Sequence, residues 1–397
     1  MSRPNVSLSG PLHLHVEGLR VALVERGYAP SSMLVSERVL RRLSRWLHQQ
    51  NLEPSAVTAE VIARFVRTGR VDRSTPGGAV PGLSMVVAFL RAEGVVPAPP
   101  LTPIEVVLVD FGVYLRVQRR LAPLTVVTRA DAVRRFLLCR EARGGLDLPG
   151  LTVRDVHEFV VVEATRLRRG SISPVLDAMR SFLRYLFATG VTARDLSATL
   201  PPVGAMRPPS MPRAVDSATL TAMLDSCDRR SPVGLRDFAI LTVMVRLGLR
   251  ANEIAAMRLD DVDWRAGEFV VHSKGGSTDR MPLPPDVGQA LATYLRRGRP
   301  ATTSRSVFLR ACAPHGPLSR NGVVFVPRSA SARAGLPVVG AHRLRHTAAT
   351  QMLQAGASLR EVGQVLRHDR DQTTARYAHV DPRVLTQLVR AWPGSVR

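Results

Sequence analysis

Hydrophobic residues recur at helical spacing over most of this 397-residue chain, a pattern typical of amphipathic helices. Three segments rich in proline and glycine interrupt the pattern, at 74–82, 96–103 and 200–213. The third segment holds five prolines in fourteen residues, which favours an extended connector. We therefore expect a helical N-terminal part, a linker, and a separate C-terminal part.

The N-terminal part contains two segments that resemble each other. Residues 24–47 align with 117–140, which places Ala29 on Ala122 and Pro30 on Pro123. Two further pairs keep an offset that drifts only from 93 to 96 residues: 58–66 with 152–160, and 88–95 with 184–191. Each unit is predicted to be a bundle of about four short helices. A duplication explains the likeness, and a chance similarity of arginine-rich amphipathic helices is the alternative.

The C-terminal part mixes helices with a few strands. The pattern predicts strands within 259–284, joined by a turn. Helices are predicted at 235–249, 250–259, 284–298, 342–356, 358–368, 373–380 and 382–394. The predicted fold is mainly α: helical N-terminal units, then an α-rich domain with a small antiparallel β-sheet. We expect four segments: 1–96, 103–200, a linker at 201–213, and 214–397.

The composition narrows the partner and the compartment. A net charge of +23 predicts a polyanion, with nucleic acid favoured over a membrane surface because the charge is spread through the helices. No apolar stretch suggests a signal peptide or a membrane span. Cys139, Cys227 and Cys312 are far apart and include no CxxC pair, which suits a reducing cytoplasm and argues against a zinc site. We expect a soluble, cytoplasmic protein.

Lys274 is the one lysine among 55 basic residues, and it lies in the predicted turn between two strands. One explanation is a stray lysine on a solvated turn in an arginine-biased chain. The other is a chemical need for an ammonium group at this position, which charge alone would not create.

Several other polar residues of the C-terminal part suit a site, although each has a structural explanation as well. Arg250 and Glu253 are three apart on a predicted helix, where a solvated ion pair is common. His342 and Arg345 have the same spacing, and His346 is an uncommitted neighbour. The remaining candidates are His368, which could be a polar helix end, and Tyr377, which could be an interface tyrosine.

In chain order these residues resemble a known pattern. The segment GLRANEIAAMRLDDVDW, a lysine in a β-turn, HRLRHTAAT and RHDRDQTTARYAHV are similar to the catalytic domain of the tyrosine recombinases, the phage-integrase and Xer-type family. The resemblance covers 212–397 closely. Residues 103–200 look like the family's helical core-binding domain, and the first hundred residues suggest a second core-binding-like or accessory DNA-binding unit.

The resemblance implies DNA cleavage and rejoining through a 3′-phosphotyrosine, without a metal or cofactor. Tyr377 would attack the scissile phosphate, and His342 would be the general acid/base for its proton. Arg250 and Arg345 would fork onto the non-bridging oxygens, a task that suits planar guanidinium groups.

The resemblance also implies roles for His368, Glu253 and Lys274. His368 would hydrogen-bond the phosphate, and Glu253 would orient its neighbours. Lys274 would protonate the departing 5′-oxygen, which arginine cannot do because its pKa exceeds about 12. With this role, a chemical need for the single lysine is favoured over the stray-lysine explanation.

Two departures from the family pattern concern the surroundings of these residues. Leu366 and Arg367 stand before His368 where the family commonly has Leu-Gly, and Ser-Thr-Asp separates the lysine turn from Arg280. The first alters a turn and the second leaves the DNA contacts of the loop undefined.

The resemblance also implies partners. We expect double-stranded DNA recombination sites clamped between the helical part and the catalytic domain, a homo-tetramer on two sites, and a second recombinase or a host DNA-bending protein as candidate partners. The segment after Tyr377 either docks on a neighbouring subunit or packs in cis. The duplicated N-terminal half hints at a mobile element. The alternative functions are a type IB topoisomerase-like enzyme and a non-catalytic DNA-binding protein on the same fold.

Overall fold

The computed structural model describes residues 10–68, 82–167, 172–202, 214–272 and 278–367. These residues fall into two compact units. One unit comes from Ala98–Ser210, and the other comes from Met1–Pro97 together with Met211–Arg397. Helices dominate both units, as the hydrophobic spacing predicts.

The first helical group surrounds a core of its own. Its helices are α1 (Val16–Glu25), α2 (Pro30–Gln49), α3 (Ala59–Thr68) and α4 (Leu83–Ala92). Leu19, Leu40 and Leu90 are fully buried between them. Apolar side chains at three- and four-residue spacing share one face of each helix, and burying those faces together holds the group.

The second helical group forms the unit Ala98–Ser210. Its helices are α5 (Pro103–Val117), α6 (Pro123–Glu141), α7 (Val153–Arg166) and α8 (Ser173–Ala188). Phe111, Phe136 and Phe182 meet at its centre in edge-to-face pairs. Thr102 and Thr152 begin α5 and α7 with capping boxes, which satisfy backbone N–H groups that the first turn leaves unpaired.

The two groups match at the positions that the sequence repeat aligns. Ala29 and Ala122 each precede a helix that starts with proline, and both have extended backbones, with ψ of 147° and 145°. Gly94 and Gly190 follow the last helices with φ of 70° and 75°, a region that glycine enters without strain. Within the described residues each group has four α-helices, in agreement with the prediction of about four.

The C-terminal group contains seven helices among the described residues; six surround a third core, and the last packs against the preceding helix in a small cluster of its own. They are α9 (Ser217–Asp225), α10 (Pro232–Leu247), α11 (Ala251–Ala256), α12 (Pro285–Arg297), α13 (Arg320–Arg333), α14 (Ala341–Gln354) and α15 (Leu359–Val365). The buried helix α10 contacts both α12 and α14. Through its contact with α14, α10 supports the helix that carries the HRLRH motif.

A three-stranded antiparallel sheet stands between α11 and α12. Its strands are β1 (Val262–Asp263), β2 (Glu268–His272) and β3 (Thr278–Pro282), in the order β1-β2-β3. The last pair of the β2–β3 ladder is His272 with Thr278. This is the predicted meander, and the residues between the last pair, which include Lys274, lie outside the described ones.

Some local predictions differ from the structure. The helix predicted over 250–259 is shorter, because Met257 leaves the helical region with ψ of 132°. The helices α9 and α13 were not predicted, and α13 contains Pro327 in its interior. The helices predicted at 373–380 and 382–394 lie outside the described residues. Among the described helices, none has the length and apolar content needed to cross a membrane.

Candidate active site

Arg250 immediately precedes the first turn of α11 and is not within the helix. It is the N-cap residue, with an extended backbone (ψ 148°), and Glu253 is the third residue of the helix. The Glu253 carboxylate accepts a hydrogen bond from the Arg250 backbone N–H at 2.7 Å and another from Arg250 Nη1 at 3.0 Å. The solvated ion pair considered from the sequence is therefore wrong for Glu253, which is buried.

The buried Glu253 carboxylate has a second arginine partner. Arg367 Nη2 donates to Glu253 Oε2 at 2.9 Å. Burial by itself raises the pKa of Glu253, but the backbone N–H of Arg250 and the guanidinium of Arg367 outweigh it and hold that pKa below its ordinary value. Glu253 is therefore ionised at neutral pH.

Arg345 is buried on α14. Its Nη1 donates to the backbone oxygen of Gly248 at 2.7 Å, and its Nη2 donates to the backbone oxygen of Leu366. The guanidinium therefore joins the end of α10 to the end of α15, two segments far apart in the chain.

Gly248 makes this approach feasible. It ends α10 in the left-handed region, with φ of 60°, as the predicted helix end near this residue requires. A Cβ atom at this position would lie 2.8 Å from Leu366 Cδ2 and 3.3 Å from Ala348 Cβ. The glycine provides both the backbone conformation and the space for Leu366.

Two consecutive carbonyl groups bring the candidate arginines together. Leu366 accepts from Arg345, and the carbonyl of Arg367 accepts from Arg250 Nη2 at 2.9 Å. Both guanidinium groups therefore lie at the C-terminal end of α15, immediately before His368 in the chain. The structure gathers Arg250, Glu253 and Arg345 at this point.

His342 and His346 form a pair on α14. Their Nε2 atoms are 2.9 Å apart, and their rings meet edge to face with centroids 4.2 Å apart. In such a contact one nitrogen donates and the other accepts, so the two rings do not both carry a proton on these nitrogens. The pair therefore fixes the tautomer of each ring relative to the other.

The remaining candidates, Lys274, His368 and Tyr377, lie outside the described residues. The base of the lysine turn is described: His272 Nε2 lies 2.8 Å from Asp261 Oδ1. On the facing strand, Arg280 pairs with Glu268 across the sheet at 3.4 Å. The end of the β2–β3 hairpin is thus tied to the loop before β1.

Two residues that join the site were not assigned a role from the sequence. The four-residue spacing of His342 and His346 on one helix face is a local signal that could have revealed their contact. Arg367 was noted only as a departure from Leu-Gly, and its partner Glu253 is 114 residues away. No group of three or more metal-binding side chains is found within the part of the chain that the structure describes.

Two anchored arginines, with a histidine pair on the helix that carries one of them, form a site suited to stabilising a phosphate in transfer. The phage integrase family model matches residues 213–383, a range that includes all seven candidates. The protein y4rA of Sinorhizobium fredii (strain NBRC 101917 / NGR234), named as an integrase/recombinase, is 36% identical over 405 residues, covering 100% of this chain and 98% of y4rA.

Further relatives point in the same direction. Tyrosine recombinase XerD of Mycobacterium tuberculosis (strain ATCC 25618 / H37Rv) is 31% identical over 305 residues, covering 71% of this chain and 94% of XerD. The solved structure of a lambda integrase dimer bound to a COC′ core site has a TM-score of 0.51 at 15% identity, covering 85% of this chain and 88% of that one. At that identity the likeness supports the fold alone.

The chain belongs to the phage integrase family and is a tyrosine site-specific recombinase, an enzyme that breaks and rejoins DNA by transesterification. Its relatives are named as recombinases, so neither a topoisomerase-like enzyme nor a non-catalytic DNA-binding protein is favoured. The predictions of family, fold class and reaction are confirmed.

Proposed function

We propose that seven residues of the C-terminal domain carry the strand-transfer reaction of this recombinase. Tyr377 is the nucleophile, and its supporting residues are distributed over four segments of the chain. They are Arg250, Glu253, Lys274, His342, Arg345 and His368.

The reaction conserves bond number at each step. The Oη atom of Tyr377 forms a bond to the scissile phosphorus while the bond from phosphorus to the 5′-oxygen breaks. The tyrosine proton passes to His342, and Lys274 gives a proton to the departing 5′-oxygen. The products are a 3′-phosphotyrosine and a 5′-hydroxyl. Attack by a 5′-hydroxyl from another strand reverses these steps and joins the new partner, with no metal or cofactor required.

One observation carries this assignment: Arg250 and Arg345, from segments 95 residues apart, donate to the consecutive carbonyls of Leu366 and Arg367. Guanidinium groups that are held in place before the reaction stabilise charge on a phosphate without having to reorganise. Such electrostatic stabilisation is usually the largest single contribution to catalysis. His368 directly follows these carbonyls in the chain and is proposed to hydrogen-bond the same phosphate.

The histidine pair supports the base role of His342. A general base needs one ring nitrogen that accepts a proton, and the hydrogen bond at the other nitrogen decides which one does. The Nε2 contact with His346 supplies such a constraint.

The proposed partner is double-stranded DNA carrying recombination sites. The net charge of +23 supports this, since each phosphate contact adds salt-sensitive affinity. The solved neighbour of similar fold is a dimer on DNA, and a homo-tetramer on two sites is proposed here. A second recombinase or a host DNA-bending protein remains a candidate partner, and a mobile element the proposed host DNA.

The proposed domain division is 1–96, 103–200, a linker at 201–213, and 214–397. Three separate groups of buried apolar side chains support it. The two N-terminal groups are proposed to grip DNA together with the catalytic domain. The proposed location is the cytoplasm, which the three free thiols of Cys139, Cys227 and Cys312 suit.

Covalent trapping tests the proposed function. A library of duplexes with randomised sequence and nicks at staggered positions captures cleavage, because the short fragment with the freed 5′-hydroxyl diffuses away. We expect the full-length protein to form an adduct that survives denaturant, and sequencing of the trapped DNA defines the selected duplex. The Tyr377→Phe variant should bind DNA and form no adduct. If both proteins or neither forms one, the assignment fails.

A further inference from the structure

Arg367 occupies a position where its backbone is strained. It follows α15 with φ of 52°, in the left-handed region. Glycine enters this region freely, whereas a residue with a Cβ atom meets its own carbonyl oxygen there. Strain of this kind persists when the surrounding contacts over-determine the backbone conformation.

The Arg367 side chain points into the protein rather than into solvent. It is 7% exposed, and it reaches the Glu253 carboxylate, which is 4% exposed. Its Nη1 donates to the Val365 carbonyl at 3.1 Å and contacts Met281 Sδ. Its Nε has no hydrogen-bond partner among the described residues. A guanidinium desolvated in this way is unfavourable unless its charge is compensated.

Glu253 is the group that compensates this charge, and it also holds Arg250. Its Oε1 accepts from Arg250 Nη1, and its Oε2 accepts from both the Arg250 backbone N–H and Arg367 Nη2. The carbonyl of Arg367 accepts from Arg250 Nη2 on the other side. Arg367 therefore contacts Arg250 directly through its backbone and indirectly through Glu253.

The charges of this group explain why a second arginine is useful. Glu253 with Arg250 alone would be a neutral pair, and a phosphate approaching Arg250 would also meet the repulsion of the carboxylate. With Arg367 on the buried side, the three groups sum to one positive charge. Arg250 is 37% exposed and Arg367 is buried, so the positive charge is presented to a ligand at Arg250.

We propose that Arg367 is a positioning residue for strand cleavage: its guanidinium neutralises Glu253 from the buried side, and its carbonyl orients Arg250 toward the scissile phosphate. This inference rests on the proposed roles of Arg250 and Glu253. The left-handed backbone of Arg367 is what allows its carbonyl and its side chain to serve the same site.

A double-mutant cycle on the full-length protein tests this proposal. The variants are Arg367→Met, Arg367→Lys, Glu253→Gln and the Arg367→Met/Glu253→Gln double. The probe is the selected duplex, and two quantities are measured: the single-turnover rate of adduct formation and the DNA affinity from fluorescence anisotropy at fixed salt. Thermal unfolding shows whether each variant is folded.

Arg367→Met should lower the cleavage rate by about tenfold or more, because a misdirected or neutralised Arg250 stabilises the phosphate less. DNA affinity should change less than about threefold, since Arg367 is buried and many other phosphate contacts remain. Arg367→Lys keeps the charge and should recover most of the rate. In the Glu253→Gln background, Arg367→Met should have an effect below about threefold, because there is no carboxylate left to neutralise.

Three results would overturn the proposal. One is a folded Arg367→Met protein with the wild-type rate. The second is Arg367→Lys as slow as Arg367→Met, which would indicate shape rather than charge. The third is an equal effect of Arg367→Met in both backgrounds. If Arg367→Met does not fold, the cleavage rate of the double variant is compared with that of Glu253→Gln. Similar rates support the proposal, and a tenfold difference contradicts it.

The proposed function is checked separately with Arg250→Met. If Arg250→Met cleaves at the wild-type rate, the site assignment itself fails. If Arg250→Met is inactive while Arg367→Met is not slowed, the site stands and the role of Arg367 alone fails.

Discussion

Replacing Glu253 with glutamine perturbs the site with little change in shape. The carboxylate accepts three hydrogen bonds, two from Arg250 and one from Arg367. Glutamine keeps one acceptor oxygen but directs an NH2 group at a guanidinium, and it removes the negative charge that the buried Arg367 requires. We expect Glu253→Gln to lower both the stability of the C-terminal domain and the cleavage rate.

The magnitude follows from the burial of the partners. Breaking a fully buried ion pair costs about 3–5 kcal/mol, because a charge is left uncompensated. Glu253 is 4% exposed and Arg367 is 7% exposed, but Arg250 at 37% retains access to water. The one remaining acceptor offsets part of the loss, so we expect the free energy of unfolding to fall by about 2–3 kcal/mol.

Glu163→Gln is a matched control from the second helical group. Glu163 is 5% exposed and also pairs with two arginines, Arg135 and Arg166, but these are 39% and 54% exposed. Water can solvate both arginines once the carboxylate is lost, so we expect a loss of only about 1 kcal/mol. Cleavage should be unchanged, because Glu163 lies outside the site.

Hydrogen exchange measured by mass spectrometry on the full-length proteins gives the unfolding free energy of each domain separately. The rate of adduct formation on the selected duplex gives the activity. An equal loss of stability in the two variants, or cleavage slowed by Glu163→Gln as much as by Glu253→Gln, would contradict the special role of the buried Arg367–Glu253 pair.

The difference in stability between the wild type and Glu253→Gln depends on pH with a definite sign. Because the folded-state pKa of Glu253 is depressed, its stabilisation is fully present above the unfolded pKa of about 4.3 and is lost as the pH falls toward the folded value. The gap in stability between the wild type and Glu253→Gln should therefore be constant near neutral pH and shrink below about pH 4.

The remaining predictions concern the lysine turn and the end of α10. Lys274→Arg should bind DNA normally but cleave about a hundredfold more slowly, and a substrate with a 5′-thio leaving group should restore much of the rate; wild-type cleavage of normal DNA would rule out a general acid here. Gly248→Ala should destabilise its domain by about 2–3 kcal/mol, through left-handed strain and the contact with Leu366. Gly335→Ala, at φ of 68° with no atom within 4 Å among the described residues, should cost only the strain of about 1 kcal/mol, as measured by hydrogen exchange.

The helices that the sequence predicts well are those with local signals. The glycine that ends α10 is an example, since it acts on its own backbone. The helix α13 was missed because Pro327 argues against a helix locally, whereas packing of Val323, Val326 and Ala330 into the core overrides that preference.

In the candidate site, too, the sequence reveals local motifs but not long-range contacts. The resemblance to the tyrosine recombinases is what makes Arg250 and Arg345 candidates, because their order and spacing in the chain match motifs of that family. The contacts that hold them are long-range: Arg345 to Gly248, and Arg367 to Glu253. Such pairs depend on how distant elements pack, so no local pattern reveals them.

The central claim is that Tyr377 forms a covalent bond with DNA while the anchored arginines hold the phosphate. The most direct measurement is mass spectrometry of the protease-digested adduct from the wild-type protein and the selected duplex. We predict a single modified peptide whose fragment ions place the 3′-phosphate on Tyr377. A nucleotide linked to another residue, or adduct from Tyr377→Phe, would contradict the account.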